Sequence, residues 1–88
     1  MISEREQQEI TARNPTFGAK AVGLSFNPSG DPAVQNLKLL YAEIIDLCNN
    51  ARVNNPNLSA ETKRLFSIAI TEAQTAQMWA VKAATWKH

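Results

Sequence analysis

DPAVQNLKLLYAEIIDLCNNARVNNPNLS, from Asp31 to Ser59, is the stretch that decides the fold. Asp31 before Pro32 is an N-cap followed by a residue whose fixed φ and missing N–H suit the first helical position. Val34, Leu37, Tyr41, Ile44 and Cys48 then recur at heptad a/d spacing, and Leu40, Ile45 and Leu47 widen the apolar face beyond a two-helix seam. The spacing predicts a helix that runs to about Val53 and is on the order of 30 Å long. Asn54, Asn55, Pro56 and Asn57 form a turn, and Ser59 caps the next helix, with Glu61 favourably placed in its first turn. Two long helices joined by a short polar connection make an antiparallel αα-hairpin.

Nothing breaks the helix after Ser59 until about Trp86. Within it Ala69, Ala73, Ala76, Ala80 and Ala83 alternate four- and three-residue steps, which puts them on one narrow stripe. An alanine stripe admits a close neighbouring backbone but buries little area per residue. Around it stand Arg64, Thr71, Met78, Trp79, Lys82 and Trp86. A lone hairpin cannot cover two wide apolar faces, so the pattern predicts a symmetric homo-oligomer whose core forms between chains, with the stripe as its assembly surface.

Upstream, Ser3 and Glu6 form a capping box and EREQQEITAR after Ser3 favours a short polar helix ending near Arg13, since Asn14–Pro15 disfavours continuation. Residues 14–30 hold all three glycines and two of the four prolines, and their composition predicts a connecting arm with turns. Phe17, Val22, Leu24 and Phe26 in that arm require packing partners. The expected organisation is all-α: residues 1–30 as N-terminal helix and arm, residues 31–88 as an αα-hairpin carrying oligomerisation and ligand binding.

Eighty-eight residues make one domain, near the size at which a single core only just suffices. Nine Lys/Arg against eight Asp/Glu leave a net charge of +1, which argues against duplex DNA or an anionic membrane as partner. Cys48 is the one cysteine, so no intrachain disulfide forms, and a reducing cytoplasm suits it. The charged N-terminus has no apolar signal core, and no run approaches the roughly 18 apolar residues of a membrane span. Catalysis is not expected. The sole histidine is His88, and neither a nucleophile–base set, a paired-cysteine zinc site nor a phosphate-binding glycine loop is present. Glu43 and Asp46, three apart, fit a solvated carboxylate face better than a shared metal, so neither metal nor cofactor is expected.

The binding candidates each carry two readings. Lys38 meets a phosphate as a point charge, or lays its stem over Val34 and Leu37 as a surface lysine. Phe26 stacks on a base or packs. Arg64 and Thr71, seven apart on one helix face, suit a phosphodiester, or are an exposed guanidinium and a hydroxyl bonded to its own backbone. Met78, Trp79 and Trp86 are better core or interface anchors than ligand platforms.

AITEAQTAQMWAVKAAT, preceded by Arg64 and paired with VQNLKLLYAEIID, resembles the hairpin domain of phage anti-CBASS and anti-Thoeris cyclic-nucleotide sponges, and most of all the small anti-CBASS members. The resemblance covers Leu24 to Trp86. It implies a non-enzymatic phage protein that sequesters the cyclic oligonucleotide signals of bacterial defence, built as a compact homohexamer in the host cytoplasm. By position it implies that the base-stacking aromatic of the dinucleotide pocket falls on Phe26, with Leu24 as a competing placement. The phosphate-binding lysine falls on Lys38. Arg64, with Thr71 one face down, falls in a second pocket for cyclic trinucleotides. The alternative is a structural or adaptor hairpin that binds a protein partner.

Overall fold

A computed structural model describes residues 15–87, so the helix expected over residues 3–13 lies outside the described residues. The described residues form three helices and no strand: α1 (Phe17–Val22), α2 (Pro32–Val53) and α3 (Ala60–Thr85). The two long helices start where their caps require. Asp31 accepts the Ala33 N–H at 2.9 Å, and Ser59 Oγ accepts the Thr62 N–H at 3.1 Å. Beyond the Asn54–Ser59 connection α3 runs back along α2, and Arg52 Nη1 donates to Ser67 Oγ at 2.8 Å across the hairpin.

The turns expected over residues 14–30 contain a helix. α1 is only six residues long, far below the length at which a helix holds on its own. Local and distant contacts both hold it. Thr16 Oγ1 caps its start by accepting from Ala19 N–H at 3.1 Å. Gly23, at φ 63°, closes its end in a Schellman motif: Gly23 N–H reaches Lys20 O at 3.2 Å and Leu24 N–H reaches Ala19 O at 3.0 Å. Gly18 lies against α2, where a Cβ would overlap the Ala42 carbonyl oxygen and stand 2.9 Å from Asp46 Oδ1. That closeness lets Gly18 N–H donate to Asp46 at 2.6 Å. The carboxylate expected on a solvated face is therefore half-buried and ties α1 to α2.

Ala19, Val22, Leu24, Leu39, Ala42, Ile45 and Ile70 form the core cluster, with Tyr41, Cys48 and Ala73 packed at its edge. The expected a/d set is divided. Val34 is buried and Cys48 half-buried, whereas Ile44 faces out along with Leu40 and Leu47. The reason is that α1 covers the Leu39–Ala42–Asp46 side of α2 and turns the inward face toward it. The alanine stripe is divided as well: Ala73 joins the intrachain core and Ala80 is half-buried, while Ala69, Ala76 and Ala83 remain outside. Only its outer edge stays exposed on the single chain. Ile45 is 0% exposed and sits where all three helices meet the core. Ile45→Ala is expected to lose about 2–5 kcal/mol of stability, read as a fall in the denaturant midpoint at fixed protein concentration.

Candidate ligand-binding site

α2 and the loop before it place Phe26 and Lys38 together. The loop between α1 and α2 turns at Gly23 and again at Gly30, the two positive-φ residues among those described. Phe26 N–H donates to Gly23 O at 2.9 Å, and Gly30 N–H donates to Asn27 O at 3.1 Å, so the segment is folded on itself. Asn27 braces it further. Its Nδ2 donates to Asp31 O at 3.2 Å and to Gln35 Oε1 at 3.4 Å, and its Oδ1 accepts from Ser29 Oγ at 2.7 Å.

Lys38 rises from the second turn of α2 into this loop. Its ammonium donates to Gly23 O at 3.1 Å and to Phe26 O, and lies 5.5 Å from the centroid of the Phe26 ring. The residue is 6% exposed. Burial pushes its pKa below the ordinary lysine value, while the two carbonyls solvate the ammonium within the fold. A surface lysine snorkelling over Val34 and Leu37 is thus not what stands there. Phe26, by contrast, is 70% exposed: its backbone is clamped and its ring is offered to solvent. Leu24, the other candidate for the stacking position, is buried in the core against Ala19 and Leu39. Of the two, Phe26 has a ring face open to a ligand.

Arg64 and Thr71 share an exposed face of α3, Arg64 near the turn end of the hairpin and Thr71 at mid-helix, whereas Phe26 and Lys38 lie toward its open end. The two pairs are not brought together within one chain. Arg64 donates through Nε and Nη2 to both oxygens of Glu61, at 3.0 and 2.7 Å. The pairing holds the Glu61 carboxyl below its usual range and raises the guanidinium. Thr71 Oγ1 returns to the Ser67 carbonyl at 3.2 Å. An anion reaching Arg64 therefore competes with an exposed carboxylate.

Two further cations stand against aromatic rings. Lys82 Nζ lies 5.2 Å from the Trp79 ring centroid and 5.5 Å from that of Trp86, and both indoles are exposed. Arg52 stacks 5.3 Å from Phe17, a pair that α1 creates. The i−3 and i+4 spacing of Lys82 to the two tryptophans carries the first of these in the sequence; no sequence signal carries the second. Among the described residues no group of three or more His, Cys, Asp or Glu is placed to hold a metal, and no helix is long and apolar enough to cross a membrane.

The all-α chain thus displays a clamped aromatic beside one cation toward the open end of its hairpin and a second cation near the turn. Its hairpin carries a family signature: residues 19–85 match the model of the Acb2/Tad1 hairpin domain, and the chain belongs to that family. It is a family of anti-CBASS and anti-Thoeris sponges, proteins that bind cyclic oligonucleotides. No curated protein and no solved structure matches the chain.

Proposed function

We propose that the chain is a non-catalytic phage sponge that sequesters cyclic di- and trinucleotide second messengers in the host cytoplasm and so blocks CBASS-type antiviral signalling. The observation that carries this reading is the coincidence of the family's hairpin with an exposed, backbone-clamped Phe26 beside the Lys38 ammonium. A cyclic dinucleotide has two flat bases and two negative charges. Phe26 stacks on a base, which is worth about 1–3 kcal/mol in nucleic-acid sites, and Lys38 neutralises a phosphate. Arg64 and Thr71 form the separate trinucleotide pocket.

Assembly belongs to the same proposal. Leu40, Ile44, Leu47, Leu65, Ile68 and Trp79 are exposed on the single chain, an apolar surface that suits burial between copies in a homohexamer. Residues 31–88 supply that oligomerisation, and the arm before them presents Phe26. Symmetry then concentrates cations that a net charge of +1 cannot supply by composition.

Calorimetry with cyclic di- and trinucleotides tests the binding: sub-micromolar affinity for at least one is expected, and its absence for all defeats the reading. Arg64→Ala is expected to weaken trinucleotide binding about 10-fold or more, as loss of a charged hydrogen bond requires, and to leave dinucleotide binding unchanged. Light scattering should give the mass of six chains. A stable monomer would instead favour an adaptor hairpin for a protein partner.

A further inference from the structure

We propose that residues 25–30 are a latch that ligand phosphate opens: Lys38 holds the segment closed through the Phe26 carbonyl, and the phosphate takes that carbonyl's place on the ammonium. The inference rests on the dinucleotide reading above and adds how that site is entered.

The closed segment leaves the ammonium a single uncommitted proton. Of its three protons, two are committed to Gly23 O and Phe26 O, the Phe26 ring lies over it, and the residue is buried. A phosphate that takes more than one hydrogen bond from Lys38 must therefore displace a carbonyl. The two carbonyls are not equivalent. Gly23 is fixed between α1 and Leu24, whose side chain is in the core and whose N–H is bonded to Ala19 O. Phe26 O belongs to a stretch in which Ser25, Phe26, Pro28, Ser29 and Gly30 are exposed. Exchange thus keeps the Gly23 bond and gives up the Phe26 bond.

The surroundings permit the movement. Gly30, at φ 65°, has nothing within 4 Å of a built Cβ, so the segment is uncrowded at its α2 end. Glycine at such a position absorbs backbone change at low cost. The exchange also runs in a favourable direction, because the phosphate oxygen carries a net negative charge that attracts the ammonium and the Phe26 carbonyl oxygen does not. Freed from the ammonium, the Phe26 backbone can move its ring over the base. A closed latch lowers apparent affinity by the fraction of molecules that are open.

Asn27 separates the latch from a static platform. Its three side-chain bonds hold the segment closed, and it touches neither Lys38 nor the Phe26 ring by any of them. If the segment must open, Asn27→Ala should speed association with a cyclic dinucleotide several-fold; if the closed segment is the finished platform, the same change should weaken binding. The test uses the full chain with a panel of 3′,5′-linked cyclic dinucleotides carrying A, G and mixed bases. Stopped-flow association is measured for wild type and Asn27→Ala, together with amide hydrogen exchange at Phe26 and Gly30 in the free and bound wild type. Faster association of the variant, with loss of Phe26 amide protection in the wild-type complex, is the expected result. Binding by the wild type with Phe26 protection unchanged or increased overturns the latch and leaves the sponge reading standing. No binding of any dinucleotide by the wild type overturns the dinucleotide reading, and the latch with it. The exchange measurement on wild type decides the matter even where Asn27→Ala fails to fold.

Discussion

Lys38→Ala is expected to lower affinity for a cyclic dinucleotide roughly 10- to 100-fold, because a hydrogen bond to a charged group is worth about 1.5–3 kcal/mol and each 1.4 kcal/mol is tenfold. The same substitution removes the donor from the Gly23 and Phe26 carbonyls. The loop that presents Phe26 then loses its peg, and stability should fall by about 1–2 kcal/mol from the unpaired acceptors. The proposed trinucleotide pocket supplies the control. Arg64 lies at the other end of the hairpin, so its ligand should bind Lys38→Ala with wild-type affinity. Titration of both ligand classes into one preparation checks this directly. Equal weakening of the two would mean that the substitution damaged the fold, and unchanged dinucleotide affinity would remove Lys38 from the site.

Gly18→Ala is the second large effect, and here two physical terms oppose each other. Glycine inside a helix costs up to about 1 kcal/mol relative to alanine, so propensity alone predicts a stabilised protein. Packing predicts the reverse. The added Cβ overlaps the Ala42 carbonyl oxygen, which is helical backbone of α2 and cannot step aside. Overpacking of this kind costs about 1–3 kcal/mol, and more where backbone must move. The bond from Gly18 N–H to Asp46 depends on the same close approach. The net expectation is a loss of at least about 2 kcal/mol, or roughly 10 °C in Tm for a chain of this size. Because α1 carries Val22, Gly23 and Leu24 into the site's foundations, ligand binding should weaken along with the melt. A raised Tm would show that α1 does not lie on α2 as described.

These two positions mark what was legible in the sequence and what was not. The long helices are legible because their signals are local: Asp31–Pro32 and Ser59 are caps, and the apolar spacing between them is sustained over many turns. α1 is not, because a six-residue helix with an internal glycine has too little intrinsic propensity. Its stability comes from Ala42 and Asp46, about two dozen residues away. α1 also covers one side of α2, so Ile44, on the heptad face, stays exposed on the single chain. In the site, Lys38 and Phe26 are legible as residue types at suggestive positions. Their juxtaposition is not, since it depends on Gly23 reversing the chain so that two carbonyls face the ammonium. Burial likewise separates Leu24 from Phe26, two positions apart and similar in hydropathy.

Capture without conversion is the central claim, and recovery of the ligand measures it most directly. The protein is loaded with a cyclic oligonucleotide, free ligand is removed, the complex is denatured, and the released nucleotide is weighed by mass spectrometry. Intact cyclic oligonucleotide in stoichiometric amount is the predicted result. A linearised or hydrolysed product, or no retained nucleotide at all, would contradict it.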